Sequence, residues 1–291
     1  MRGKALLTAG LIAAALAASA GSAQAAVTIG SNLAASPAMS NAPGCEVDAI
    51  PCTATNLSLP SANLAPGGLL SPVNGTVTSW KLGATMANTI SLQVVRPVSG
   101  TTYTGVSTSA PVSYPGPAIP TNPTTVPIQI GDGIGLLDPH ANFIYADTIG
   151  GQVAAWYLAP AGPLANGQTR TADIVGNNKE ALVQATIEPT NTVINGAIAR
   201  KKKKGTATVT VTVPNPGQLS YSGTGVKVSG PASVAAPGDV QLTVRATGKK
   251  AKKLKRKGKV SVSFGTTFTP SFGAAATTTT NLTLRKKLKK K

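Results

Sequence analysis

The chain predicts an all-β protein: two β-sandwich modules, the first jelly-roll-like and the second a small Ig-like fold, behind a cleaved signal peptide. Three observations carry this. Short apolar runs recur between Gly-, Pro- and Asn-containing turns through most of the 291 residues. Charged residues make up only 12% and aromatics 4%, so the cores must be built from Val, Ala, Leu and Ile. Thr and Ser are abundant, and 22 Pro and 31 Gly are spread along the chain, a composition that suits many short strands joined by tight turns. Disordered chains carry more charge and fewer β-branched residues.

Met1–Ala25 reads as the signal peptide. Arg2 and Lys4 form a basic start, Ala5–Ala20 is an uncharged apolar run, and Ala23-Gln24-Ala25 supplies a small-x-small cleavage site before Ala26. The run is shorter and richer in Ala than a membrane span, which needs about 20 apolar residues. No other stretch is apolar enough to span a bilayer, so no transmembrane span is expected in the mature chain. The expected location is secreted, extracellular or cell-surface-associated. Cys45 and Cys52 enclose a short Pro-bounded loop, and in an oxidising space the simplest reading is a disulfide. Closing so short a loop stabilises by about 2.5 kcal/mol if unstrained. Zinc would want four ligands, and the only histidine, His140, lies far along the chain.

Residues 26–190 form the first module. Its expected strands are Thr76–Leu82, Ile90–Val95, Tyr103–Thr108, Val126–Ile130, Ile134–Leu137, Phe143–Asp147, Val153–Leu158 and Ala181–Ile187. Asn74-Gly75, Ser99-Gly100, Asp132-Gly133 and Gly150-Gly151 punctuate them as turns. About eight short strands suggest a sandwich or jelly roll. Ser31–Pro72 reads as loop, and residues 177–183 could start a helical turn. Residues 191–204 read as a basic linker.

The second module, 205–284, shows a clearer period of two. Ala207, Val209, Val211 and Val213 share one face of a strand, and Val260, Val262, Phe264 and Phe268 share one face of another. Six strands are expected, at 206–213, 218–222, 225–229, 240–247, 259–268 and 277–284, followed by a basic tail, 285–291. The stretch from Gly205 to Pro270, GTATVTVTVPNPGQLSYSGTGVKV…LTVRATGKKAKKLKRKGKVSVSFGTTFTP, resembles Lys-rich Ig-like β-sandwich repeats in secreted proteins of high-GC Gram-positive bacteria. The stretch Val77–Asp138, VTSWKL…ISLQVVRP…YTGVSTS…VPIQIGDGIGLLD, is similar to a domain of such proteins. The resemblance implies extracellular β-architecture and brings no catalytic residues.

Charge is divided sharply. Residues 26–195 hold four bases and eight acids, whereas 196–291 hold 21 bases and one acid, Asp239. Most of these 21 bases fall in three runs. The first is Arg200 with Lys201, Lys202, Lys203 and Lys204. The second, read as a loop, is Lys249, Lys250, Lys252, Lys253, Lys255, Arg256, Lys257 and Lys259. The third is Arg285, Lys286, Lys287, Lys289, Lys290 and Lys291. Alternating strand direction brings all three to one pole, with Leu254, the lone large apolar residue of the middle run, pinning it to the core. So dense a charge attracts a polyanion such as an anionic cell-wall polymer, phospholipid head groups or extracellular DNA, unless it only solubilises an edge. A simpler partner is the acidic first module, which the linker 191–204 is expected to place beside this pole. Aromatics able to stack on bases are sparse, so sequence-specific nucleic-acid recognition is not expected.

Catalytic chemistry has little to stand on. His140 has no G-x-S-x-G elbow to accompany it. Asp132, Asp138 and Asp147 crowd one region but match no Ca²⁺ loop. Gly131, Gly133 and Gly135 do not make G-x-G-x-x-G. Trp80, Trp156 and Tyr157 suit either a sugar platform or core, and Asn56, Asn74 and Asn281 begin glycosylation sequons. Nothing calls for a cofactor or metal. The leading expectation is a non-enzymatic envelope or matrix protein. The alternatives are a secreted carbohydrate-active hydrolase or carbohydrate-binding protein with its site in the first module, and a plain spacer.

Overall fold

A computed structural model describes residues 26–35, 51–83, 88–114, 119–138, 145–147, 150–151, 153–158 and 161–288. Met1–Ala25, Cys45, His140 and Lys289–Lys291 lie outside them, and with these the expected signal peptide and the Cys45–Cys52 bridge. The described residues are all-β apart from one α-helix and one 3₁₀ turn.

In the first module the strands are β1 (Val27–Gly30), β2 (Cys52–Ser58), β3 (Gly75–Leu82), β4 (Asn88–Ser99), β5 (Thr102–Thr108), β6 (Val112–Tyr114) and β7 (Thr121–Ile128). They continue as β8 (Gly133–Asp138), β9 (Tyr145–Asp147), β10 (Val153–Tyr157), β11 (Thr169–Thr171), β12 (Ile174–Asn177), β13 (Lys179–Ala181) and β14 (Val183–Pro189). One sheet runs β1-β14-β3-β7 and the other β11-β5-β4-β8-β2-β10-β12, with β6 on β4. Their facing sides build a core of Ile29, Trp80, Leu82, Ile90, Leu92, Ile128, Leu136, Trp156 and Ile187. A smaller cluster of Val95, Tyr103, Ala155, Tyr157 and Leu164 covers part of the larger sheet's other side.

Two expectations fail here, each for a physical reason. Ser31–Pro72 is not all loop, because β2 is an interior strand between β8 and β10. Its sequence CTATNLS lacks large side chains because Cys52 through Asn56 are buried and both sides are crowded. The polar atoms are consumed internally: Thr55 Oγ1 donates to Ile134 O at 2.8 Å and Leu164 N donates to Thr53 Oγ1 at 3.1 Å. Residues 177–183 start no helix. Asn178 takes a left-handed φ of 58° and turns the chain from β12 into β13.

The second module contains β15 (Ile194–Lys201), β16 (Thr206–Val213), β17 (Gly217–Ser222), β18 (Val226–Ser229), β19 (Ser233–Val234), β20 (Gly238–Ala246), α1 (Gly248–Lys257), β21 (Lys259–Pro270) and β22 (Ala276–Arg285). The sheets are β15-β16-β20-β18 and β19-β17-β21-β22. The first has the A-B-E-D order of an Ig sandwich and the second its C-F-G order with a short added edge. The alternation places Ala207, Val209, Val211, Leu242, Val244, Val262, Phe264, Phe268 and Leu284 in one core.

The stretch expected as a linker, 191–204, is mostly β15, paired antiparallel with β16. Its side chains carry no inward pattern because it lies at a sheet edge and is held by its backbone. The middle basic run is helical rather than loop. Lys, Arg, Ala and Leu are all good helix formers, and Gly258 closes the last turn at φ 69° with its N–H on Leu254 O at 3.0 Å.

Candidate functional site: a cationic pole

Strand direction fixes where the basic runs meet. β16 and β21 begin at the end of the sandwich where β15, β20 and β22 finish. Two unexpected strands leave this count intact: β15 precedes β16, and β19 runs the same way as β18 after crossing to the other sheet. Backbone hydrogen bonds then tie the runs together. Lys287 N donates to Lys202 O at 2.9 Å, joining the first and third, and Lys286 N donates to Gly258 O at 2.7 Å, joining the third to the end of the helix.

Leu254 closes the assembly. It is 5% exposed on a helix otherwise made mostly of cations. Gly205, at φ 71°, leaves it room, since a Cβ there would lie 3.2 Å from Leu254 Cδ2 and 3.3 Å from Lys286 Cδ. One leucine from the second run thus packs over the end of the first and the start of the third. Lys201–Lys204, the α1 cations, Lys259 and Arg285–Lys287 share this end. So do Lys227 and Arg245, cross-strand partners in register that a search for basic runs misses because each is isolated in sequence.

No carboxylate balances these charges among the described residues. The ion pairs found there, Arg96–Asp132 at 2.7 Å and Arg170–Asp173 at 2.6 Å, both belong to the first module. Asp239 lies at the opposite pole, where it accepts from Thr212 Oγ1. The acidic first module is also at that opposite pole, which corrects the expectation that the linker sets it beside the lysines. Asn74 N donates to Asn215 Oδ1 at 2.6 Å, Asn215 Nδ2 donates to Asn74 O at 2.9 Å and to Thr190 O at 2.7 Å, and Asn74 Nδ2 donates to Pro214 O at 2.7 Å. Asn191 Nδ2 adds a bond to Ala274 O at 3.0 Å. β15 then carries the chain up the side of the sandwich. Eight strand residues span about 25 Å, well beyond the screening length of about 8 Å at physiological salt.

Other candidate residues find structural places. Trp80 and Trp156 are each 1% exposed, so they line a core and not a surface platform. Asp132 takes two bonds from Arg96 and one from Gln129 N, which stiffens its turn. Asp138 is buried on β8, in register with Cys52. The Asn56 sequon is spent on a reciprocal pair with Ala181, and that of Asn74 on the module junction. Asn281 stands exposed on β22.

Fold and site together define a class: an all-β protein of two antiparallel sandwiches joined end to end, with a cationic cap at the end away from the junction that no carboxylate neutralises among the described residues. No helix among the described residues is long and apolar enough to cross a membrane. No family model matches the chain, and no curated protein matches it.

Proposed function

We propose that the protein is an exported, non-enzymatic component of the cell envelope or extracellular matrix that holds anionic polymer through its cationic pole. The carrying observation is the joining of three lysine runs at the end farthest from the acidic module. Fifteen cations of these runs, from Lys201 to Lys287, sit there without a carboxylate within 4 Å among the described residues. Like charges held this close raise the local potential, and an incoming polyanion lowers it while releasing its own counterions. The signal-like Met1–Ala25, the proposed Cys45–Cys52 bridge and the resemblance to secreted Lys-rich repeats support the extracellular setting.

Binding of the secreted chain to a soluble polyphosphate, measured between roughly 50 and 300 mM salt, tests the proposal. The expected plot of log affinity against log salt is steep. Replacing Lys202, Lys257, Lys286 and Lys287 by Gln should lower its slope by roughly 3, at about 0.7–0.9 for each phosphate no longer neutralised. Affinity that is absent at the low-salt end, or a slope that these four changes leave alone, would sink the proposal.

A further inference from the structure

A groove of about 450 Å³ crosses the outer face of the β21–β22 hairpin, just below the cationic pole. Ser261, Ser263, Asn281 and Thr283 line its floor, and Arg200 and Lys250 also border it. The two cations come from different runs, one on β15 and one on α1, so the groove exists only because the fold brings those runs together. Arg200 is held in place: its Nε donates to Thr283 O at 3.1 Å, leaving the rest of the guanidinium available. Lys250 lies against Gly225, where a Cβ would sit 3.0 Å from its Cδ, so the stem is packed while the charge extends beyond it.

The floor is chemically distinct from the lysine cap. Ser261 Oγ and Thr283 Oγ1 are a cross-strand pair 3.3 Å apart, and Ser263 faces Asn281 in register one step along. Ser263 and Asn281 are both exposed, and among the described residues neither side chain has a hydrogen-bond partner in the protein. Hydroxyl and carboxamide groups both donate and accept. A bare inorganic polyanion offers acceptors only, which the flanking cations would satisfy alone. A ligand bearing hydroxyls beside its charge uses both parts. Among the described residues no aromatic ring lines the groove, so they offer no stacking surface for flat sugar faces.

We infer that this groove is a subsite for a polyol phosphate or sugar phosphate repeat: the phosphate lies between Arg200 and Lys250, and the neighbouring hydroxyls bond to Ser263 and Asn281. The inference rests on the polyanion reading and narrows it from charge alone to a hydroxylated polymer.

Poly(glycerol phosphate) and inorganic polyphosphate of matched charge number separate the two claims, measured against the whole mature chain at one salt concentration. Two hydrogen bonds to the hydroxyls predict about tenfold tighter binding of poly(glycerol phosphate). The double change Ser263→Ala with Asn281→Ala should erase that preference while leaving polyphosphate binding alone, and both positions are exposed, so folding should survive. Arg200→Gln should weaken both polymers. Equal affinities for the two polymers, or a preference that survives the double change, would overturn the subsite while leaving the cationic pole standing. Failure of both polymers to bind the unaltered chain would remove the polyanion reading as well. Phosphatidylglycerol vesicles present the same glycerophosphate on a lipid. Soluble polymer should displace the chain from them, and retention on vesicles despite excess polymer would overturn the polymer as occupant.

Discussion

Asn215 should be a sensitive loop position, because its side chain fastens one module to the other. It is fully buried and makes three hydrogen bonds, accepting from Asn74 N and donating to Asn74 O and Thr190 O. Asn215→Ala removes all three. Asn74 O keeps a second donor, Thr190 N at 3.0 Å, but Asn74 N and Thr190 O lose the partners they had here. At about 0.5–1.5 kcal/mol for each net bond, with some added cost for groups left buried and unpaired, the loss is about 2–4 kcal/mol. Asn215→Asp keeps the shape and one acceptor, yet turns a second oxygen toward two carbonyls, so it should cost at least as much. Urea unfolding of the intact chain measures the energy, and hydrogen exchange at Asn74 and Thr190 measures the local opening. If both variants stay within about 0.5 kcal/mol of the parent and those two amides exchange no faster, the junction is not held as described.

Thr266 faces the second core fully buried, and its Oγ1 has no hydrogen-bond partner. Thr266→Val, nearly the same shape, should therefore stabilise by about 1 kcal/mol in urea unfolding, and a loss of stability would show that the hydroxyl is satisfied after all. Burial holds the Tyr157 phenol above its ordinary value of 10.0, with its hydroxyl donating to Thr101 O at 3.0 Å. The unfolded phenol ionises first, so this contribution is intact below about pH 10 and is lost as pH rises toward the folded value, at up to about 1.4 kcal/mol per pH unit. Stability curves taken from about pH 9 to 11.5 should fall less steeply in Tyr157→Phe, and parallel curves would refute the assignment.

What the sequence revealed and what it hid divide along one physical line. β16 and β21 were legible because every second residue is apolar and one face of each strand is solvated: Val209, Val211, Val262 and Phe264 are all within 3% of complete burial. Convergence of the lysine runs was legible too, since it depends only on strand direction. β2 was hidden because a strand crowded on both sides has no alternation, and its Thr, Ala and Asn resemble loop composition. β15 was hidden for the opposite reason, because its side chains meet almost nothing and only its backbone pairs. The location of the acidic module could not be read, because taking 191–204 as slack chain returns it to the lysines, whereas an extended strand carries it away. The sequence marked Arg200 only as part of a basic run, Asn281 only as a sequon and Ser263 not at all, since the groove forms from positions on four elements brought together by the fold.

The helix in the middle run bears on the proposal that the cationic pole does more than solubilise an edge. A ten-residue helix is marginal by itself, and α1 stacks cations on neighbouring turns, with no acidic residue in its first turn and no side-chain bond at Thr247. Three things offset that repulsion. Its last turn carries Lys255, Arg256 and Lys257, which suit the negative end of the helix dipole. Gly258 completes the final turn, and Leu254 is buried over Gly205 and Lys286. Burial of one leucine contributes about 1.5–3 kcal/mol against that repulsion. On the proposed polyanion reading, α1 would hold several cations at a fixed spacing for a repeating anion, beside Arg200 and the groove.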